Sequence, residues 1–94
     1  MRFSWDGRKS ATNWRKHRVS FEEARTVFYD DHARIIADPD HSRGEERFVL
    51  LGCSYHARIL AVVHCYRKPD ETIRIISARK ASRKEQRYYM ECVR

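Results

Sequence analysis

Residues Thr72 to Tyr89 constrain the chain most, because they specify a strand, a tight joint and a helix in one run. In the first half, side chains alternate about an extended backbone. Ile73, Ile75 and Ser77 are therefore expected on one face, and Arg74, Ile76 and Ala78 on the other. Apolar residues at both parities predict an inner strand covered on both sides. In the second half, Ser82 followed three residues later by Glu85 is a capping box and predicts a helix start. The joint carries Arg79, Lys80, Arg83, Lys84 and Arg87, with Tyr88 and Tyr89 and a single acid, which suits a polyanion.

The rest of the chain supplies partners for this unit. Phe3 and Trp5 alternate with polar neighbours and predict a short first strand. Asp6 is placed to cap a helix running to His17, with Trp14 and Ala11 as its weak apolar stripe. Ser20 and Glu23 make a second capping box, and Val19 and Ala24 occupy the staple positions around it. Phe21, Ala24, Val27 and Phe28 form the buried face of that helix, which Asp30-Asp31 ends. Three strands follow, at 34–38, 47–53 and 58–67, with a polar hairpin loop from Asp40 to Glu46 and turn chemistry at Lys68–Glu71. The order β-α-α-β-β-β-β-α predicts an α+β fold: a small antiparallel meander with two N-terminal helices and one C-terminal helix.

Ninety-four residues make a single domain, 1–94, with room for one core. No apolar run reaches the roughly 20 residues that span a bilayer, and the N-terminus lacks a secretory apolar segment, so a cytoplasmic protein is expected. Cys53, Cys65 and Cys92 show no metal-binding spacing, nor do the scattered histidines, so neither a metal nor a cofactor is expected. The net charge of +7 is uneven: residues 1–18 carry +5, residues 19–46 carry −5, and residues 47–78 and 79–94 carry +3 and +4. A fold that joined the two basic ends would present one positive face. On charge alone, a basic nucleic-acid-binding module without catalytic activity accounts for the sequence.

A more specific reading comes from motifs. Phe3-x-Trp5-Asp6, Lys9, Asn13, Lys16-His17, Val19 to Ala24 (VSFEEA) and Val27-Phe28 resemble the opening of the BrnT toxin family. Asp40-His41, Glu45-Glu46-Arg47, Leu51-Gly52-x-Ser54, Arg58, Val62-Val63 and Arg67 continue the likeness. So do the IRIISARxA segment from Ile73 to Ala81, Glu85, and Tyr88 or Tyr89. The resemblance implies a RelE-like fold and a toxin of a bacterial type II toxin–antitoxin system that cuts RNA without a metal and arrests growth. It implies a BrnA-like ribbon-helix-helix antitoxin as partner, with operator DNA bound only through that antitoxin. The family pattern has glycine where this chain has Arg18, at a helix end where a left-handed backbone favours glycine, and again where it has Ala57.

Metal-free RNA cleavage needs a base at the ribose 2′-OH, a cation on the phosphorane oxygens and an acid at the departing 5′ oxygen. Arg79 is the first candidate for the phosphate, since its planar fork meets two oxygens and it ends a strand beside a helix N-terminus. A salt bridge to Glu46 or Glu85 is the competing use. Arg67, ending the preceding strand, can join Arg79 or stand as a solvated strand end. His17 can act as base or acid, or simply finish its helix. Arg74 is expected to anchor an acid or the antitoxin. Tyr89 completes the catalytic set, while Tyr88 shares a helical face with Ala81 and Cys92 and is expected in the core. Lys9, Lys80, Arg83 and Arg87 are expected to hold RNA. His41 reads equally as structural, and Trp5 and Trp14 read as core.

Overall fold

A computed structural model describes residues 1–37 and 46–93. The predicted hairpin loop at 40–46, apart from Glu46, and His41 lie outside the described residues. The elements are β1 (Phe3–Ser4), α1 (Gly7–His17), α2 (Phe21–Thr26) with a 3-10 turn at Val27–Tyr29, β2 (Arg34–Ile36), β3 (Phe48–Cys53), β4 (Ile59–Arg67), β5 (Thr72–Lys80) and α3 (Arg83–Val93). Strands β2 to β5 form the expected antiparallel meander. β1 differs: it joins the outer edge of β5 in parallel, giving the order β1-β5-β4-β3-β2. A parallel neighbour requires a long crossover, and the whole chain between β1 and β5 supplies it.

Burial follows the two faces of the sheet. On one face Val19, Phe21, Ala24 and Val27 pack on Leu50, Leu60, Val62, Ile75 and Ala78, all buried. On the other, Tyr89 of α3 and the preceding Ala81 close over Val49, Leu51 and Ala61. The inner strands thus alternate between two cores, which is why both parities are apolar.

Local signals hold at most helix starts. Asp6 accepts the Arg8 N–H at 2.7 Å, and Ser20 Oγ accepts the Glu23 N–H at 3.0 Å. At Ser82–Glu85 the box is complete: the Ser82 N–H donates to Glu85 Oε1 at 2.8 Å and the Glu85 N–H to Ser82 Oγ at 3.2 Å. At Ser20–Glu23 it is only half made. The Glu23 carboxylate turns inward and accepts from Ser54 Oγ and the Arg58 guanidinium instead. At 3% exposure Glu23 is far from water, and an ion pair with two further hydrogen bonds outweighs one cap bond. The Arg58 hydrogen bond is the largest cause holding its pKa below the usual carboxylate value.

Three face assignments change. In β5, Ile75 pairs with His64 but Ser77 pairs with Val63, so Ile76 is an extra, bulged residue. Past it the parity inverts: Ala78 joins Ile75 in the helix-side core, and Ser77 and Arg79 look the same way as Arg74. In α3, Tyr89 is buried at 5% and Tyr88 is 45% exposed, the reverse of the expectation. Ala81 precedes the Ser82 cap and is not helical, so it does not share a helix face with Tyr88. In α1, Trp14 is 48% exposed and Asn13 is the buried residue. Asn13 reaches the core because its amide bonds the backbone of Ala78 and Val19.

Candidate functional site

The bulge determines where the basic residues meet. It turns Ser77 and Arg79 to the α3 side of β5, about 7 Å apart along the strand. Arg79 lies opposite Ala61, beneath the N-terminal turn of α3. Its guanidinium is held in a fork by Glu85, Nη1 to Oε1 at 2.7 Å and Nη2 to Oε2 at 3.0 Å. Glu85 thereby serves both as cap and as counter-ion. The Arg79 fork, first among its causes, holds the carboxyl well below its usual range, at about 2. Of the two competing uses foreseen for Arg79, the ion pair with Glu85 is made. The pair remains partly open to solvent, with 38% of the Arg79 side chain exposed.

Lys80, Arg83 and Arg87 surround this point, all exposed. Arg83 and Arg87 also line a groove along the outer side of α3 with Gln86, Met90 and Glu91. Lys9 and His17 lie on α1, apart from these residues. With Arg8, Thr12, Asn13 and Lys16 they line a cavity of about 260 Å³ floored by Ile76 and Ser77. Ser77 therefore borders both groups: it floors the α1 cavity and lies two residues from Arg79 on the same side of the strand.

Two expected members stand elsewhere. Arg67 pairs with Thr72 at the hairpin end of the β4–β5 ladder, whereas Arg79 pairs with Ala61. Six residues of strand separate the two positions, about 20 Å. Successive antiparallel strands end at opposite ends of the sheet, so Arg67 does not join Arg79. Tyr89 donates its hydroxyl to Asp30 Oδ2 at 2.6 Å, and Asp30 Oδ2 also accepts the Cys53 N–H at 2.8 Å. Burial and then the Asp30 bond push the Tyr89 phenol up, so it stays protonated. Its hydroxyl ties α3 to β3 and the 3-10 turn and is turned away from solvent. Arg74 lies beside Cys65 and Ser4, and its charge helps to lower the pKa of the Asp6 cap, with the Arg8 N–H the larger cause.

Sequence reading missed Arg8, Thr12 and Lys16 as neighbours of Ser77. The seven-residue spacing of Lys9 and Lys16, which repeats a helical face, was the available signal. Among the described residues, no three His, Cys, Asp or Glu side chains converge as metal ligands, and no helix is long and apolar enough to cross a membrane.

Comparison with curated proteins finds no match. Among solved structures, the 1.1 Å crystal structure of the Brucella abortus ribonuclease toxin, BrnT, aligns with a TM-score of 0.66 at 25% identity, covering 88% of this chain and 99% of that one. A family model described as the ribonuclease toxin BrnT of a type II toxin–antitoxin system matches residues 5–85. The agreement extends from sequence to fold over nearly the whole domain, and the chain belongs to the BrnT family of ribonuclease toxins.

Proposed function

We propose that this chain is an endoribonuclease that cuts RNA without a metal, by attack of a ribose 2′-OH on its own phosphate. The observation that carries this reading is the β5 bulge. It turns Ser77 and Arg79, which strand alternation keeps on one face, together to the α3 side, where Arg79 meets the start of α3 while Ser77 also borders the α1 cavity. A phosphate over Ser77 would draw the Arg79 fork away from Glu85, and the guanidinium would then neutralise charge on two equatorial oxygens as the phosphorane forms. His17, lining the adjoining cavity, is the candidate proton carrier, and Lys9, Lys80, Arg83 and Arg87 hold the flanking phosphates. Arg67 and Tyr89 stand outside this constellation, Tyr89 with its hydroxyl bonded to Asp30.

The test is cleavage by the purified protein in EDTA. Products should carry a 5′-hydroxyl and a cyclic or 3′ phosphate, and Arg79→Ala should lose activity and relieve growth arrest. Arg79→Lys should rescue only in part, since a point charge lacks the fork. Activity that disappears in EDTA and returns with Mg²⁺ overturns the metal-free reading. The rival reading, binding without cleavage, draws on the Arg79–Glu85 pair, because a guanidinium already engaged need not meet substrate. Full cleavage by a folded Arg79→Ala protein would remove Arg79 from the site.

As a type II toxin the chain has a protein antitoxin. We propose that it is BrnA-like, with a ribbon-helix-helix part that carries any operator binding, and that the pair works in the cytoplasm. Arg83 and Arg87 flank Met90, which is 52% exposed, and Tyr88, which is 45% exposed. Cations beside apolar surface suit an acidic amphipathic segment. Association should slow as salt rises, and charge reversal at Arg83 and Arg87 should weaken it. Salt-insensitive association with both reversals silent would place the antitoxin elsewhere.

A further inference from the structure

We propose that the groove between α1 and the outer edge of β5 is a phosphate-backbone site, taking a single-stranded stretch of RNA that runs on from the phosphate at Arg79. The proposal rests on the RNA-cleaving reading above and extends it to the length and form of the substrate.

The groove exists because β1 is short. It pairs with β5 only at Ile73 and Arg74, and the Asn13 side chain occupies the edge again at Ala78. Between these points the bulged Ile76 and Ser77 floor the cavity, and α1 forms its wall. Arg8, Lys9, Lys16 and His17 line that wall, and among the described residues the lining includes no carboxylate. From Arg8 to Lys16 the helix rises about 12 Å, so the charge forms a row rather than a point. Among the described residues Arg8, Lys9 and Lys16 enter no ion pair. Thr12 adds a hydroxyl donor of the kind that binds phosphate oxygens.

Repeated anions fit a row of cations, and a nucleic-acid backbone is the repeated anion that this family acts on. An acidic peptide would more naturally add to the open strand edge through its own backbone. That route is blocked at both ends, by the Ile73 N–H donating to the Arg2 carbonyl and by Asn13 at Ala78. What remains accessible is side-chain charge, which reads phosphates without reading bases. The groove should therefore tolerate any sequence and favour RNA long enough to reach beyond Arg79.

The experiment measures binding of a uridine oligonucleotide with 2′-O-methyl groups throughout, by fluorescence anisotropy across a salt series. The probe cannot be cut, so the result does not depend on whether the protein cleaves. The Lys9→Ala/Lys16→Ala protein should bind about tenfold more weakly at low salt. The slope of log affinity against log salt should flatten by about 1.4, from about 0.7 per lost single-strand phosphate contact. Both positions are exposed, and an unchanged thermal midpoint confirms the fold. Lys9→Arg/Lys16→Arg should restore slope and affinity. Unchanged affinity and slope in the alanine pair would overturn the proposal. So would loss of antitoxin binding with RNA binding intact, which would assign the groove to the partner. Wild-type protein that cuts no RNA, with the slope still flattened in the alanine pair, would remove the catalytic reading and leave the groove standing.

Discussion

The side-chain amide of Asn13 meets the backbone of Ala78 as a neighbouring strand would. Its Nδ2 donates to the Ala78 carbonyl at 2.8 Å, and its Oδ1 accepts the Ala78 N–H at 3.0 Å. The same Nδ2 donates to the Val19 carbonyl at 2.9 Å, so one buried amide fastens α1, the α1–α2 link and β5. A helix with almost no apolar face is thereby held to the sheet, and its cations are kept on the outside.

Asn13→Ala should therefore destabilise strongly. It strands one N–H and leaves two carbonyls short of a bond in a buried setting, a loss of about 3 kcal/mol. Urea unfolding measures it. A cost below about 1 kcal/mol would mean that water reaches these groups.

Ala57→Gly should stabilise. Ala57 has φ 61° and Arg18 has φ 55°, both left-handed. Relief of a β-carbon clash is worth about 1 to 2 kcal/mol, and the freer unfolded chain returns part of it, leaving a net gain of about 0.5 to 1 kcal/mol. Thermal melting should move up by a few degrees, on the order of 4 °C. Arg18→Gly should gain less, because the Arg18 guanidinium sits over the Trp14 ring, 5.6 Å from its centroid.

Stability should fall in two stages as pH drops. His64 is fully buried against Phe28, Phe48 and Tyr66, and burial lowers its pKa despite its bond to the Val62 carbonyl. Below about pH 6.5 the unfolded chain gains a proton there that the folded chain refuses, so stability declines. Glu23 and Glu85 have lowered values, so their contributions are intact above about pH 4.5. They are lost as pH falls through the folded values, which for Glu85 is about 2. His64→Phe keeps the ring packing and should remove the first stage while leaving the second. Urea midpoints across pH for both proteins decide it, and an unaltered decline near pH 6 in His64→Phe would assign that stage to another group.

Glu85→Gln should separate the two uses of Arg79. The uncharged amide keeps the shape of the cap but loosens the fork, lowering stability by on the order of 1 kcal/mol because the pair is partly exposed. Freed from its counter-ion, Arg79 should bind uncleavable RNA several-fold more tightly. Lower stability without tighter binding would show that Arg79 serves the helix joint alone.

What the sequence determined by itself was local. Asp6, Ser20 and Ser82 mark the helix starts because each cap needs only an oxygen two or three residues from a free N–H. The strands of the meander were legible because their apolar parity repeats within a few residues, and the α+β class follows from element order. Lys9, His17, Arg79 and Arg83 were recognisable as candidates from charge and motif. Their grouping was not.

Tertiary structure decided the rest, wherever one residue had several local options of similar energy and a distant partner settled between them. Glu23 could close its own cap, yet turned to Arg58, 35 residues away, because burial makes the charged partner the stronger demand. Tyr89 rather than Tyr88 entered the core because Asp30, 59 residues distant, offered its hydroxyl an acceptor. The extra residue at Ile76 inverted the faces of β5, and no local pattern encodes a bulge whose register is set across the sheet by β4. That inversion turned Ser77 and Arg79 together to the α3 side, while antiparallel pairing carried Arg67 to the far end. Side-chain chemistry can be read along a chain, but which groups share a face depends on register, and register is a property of the assembled sheet.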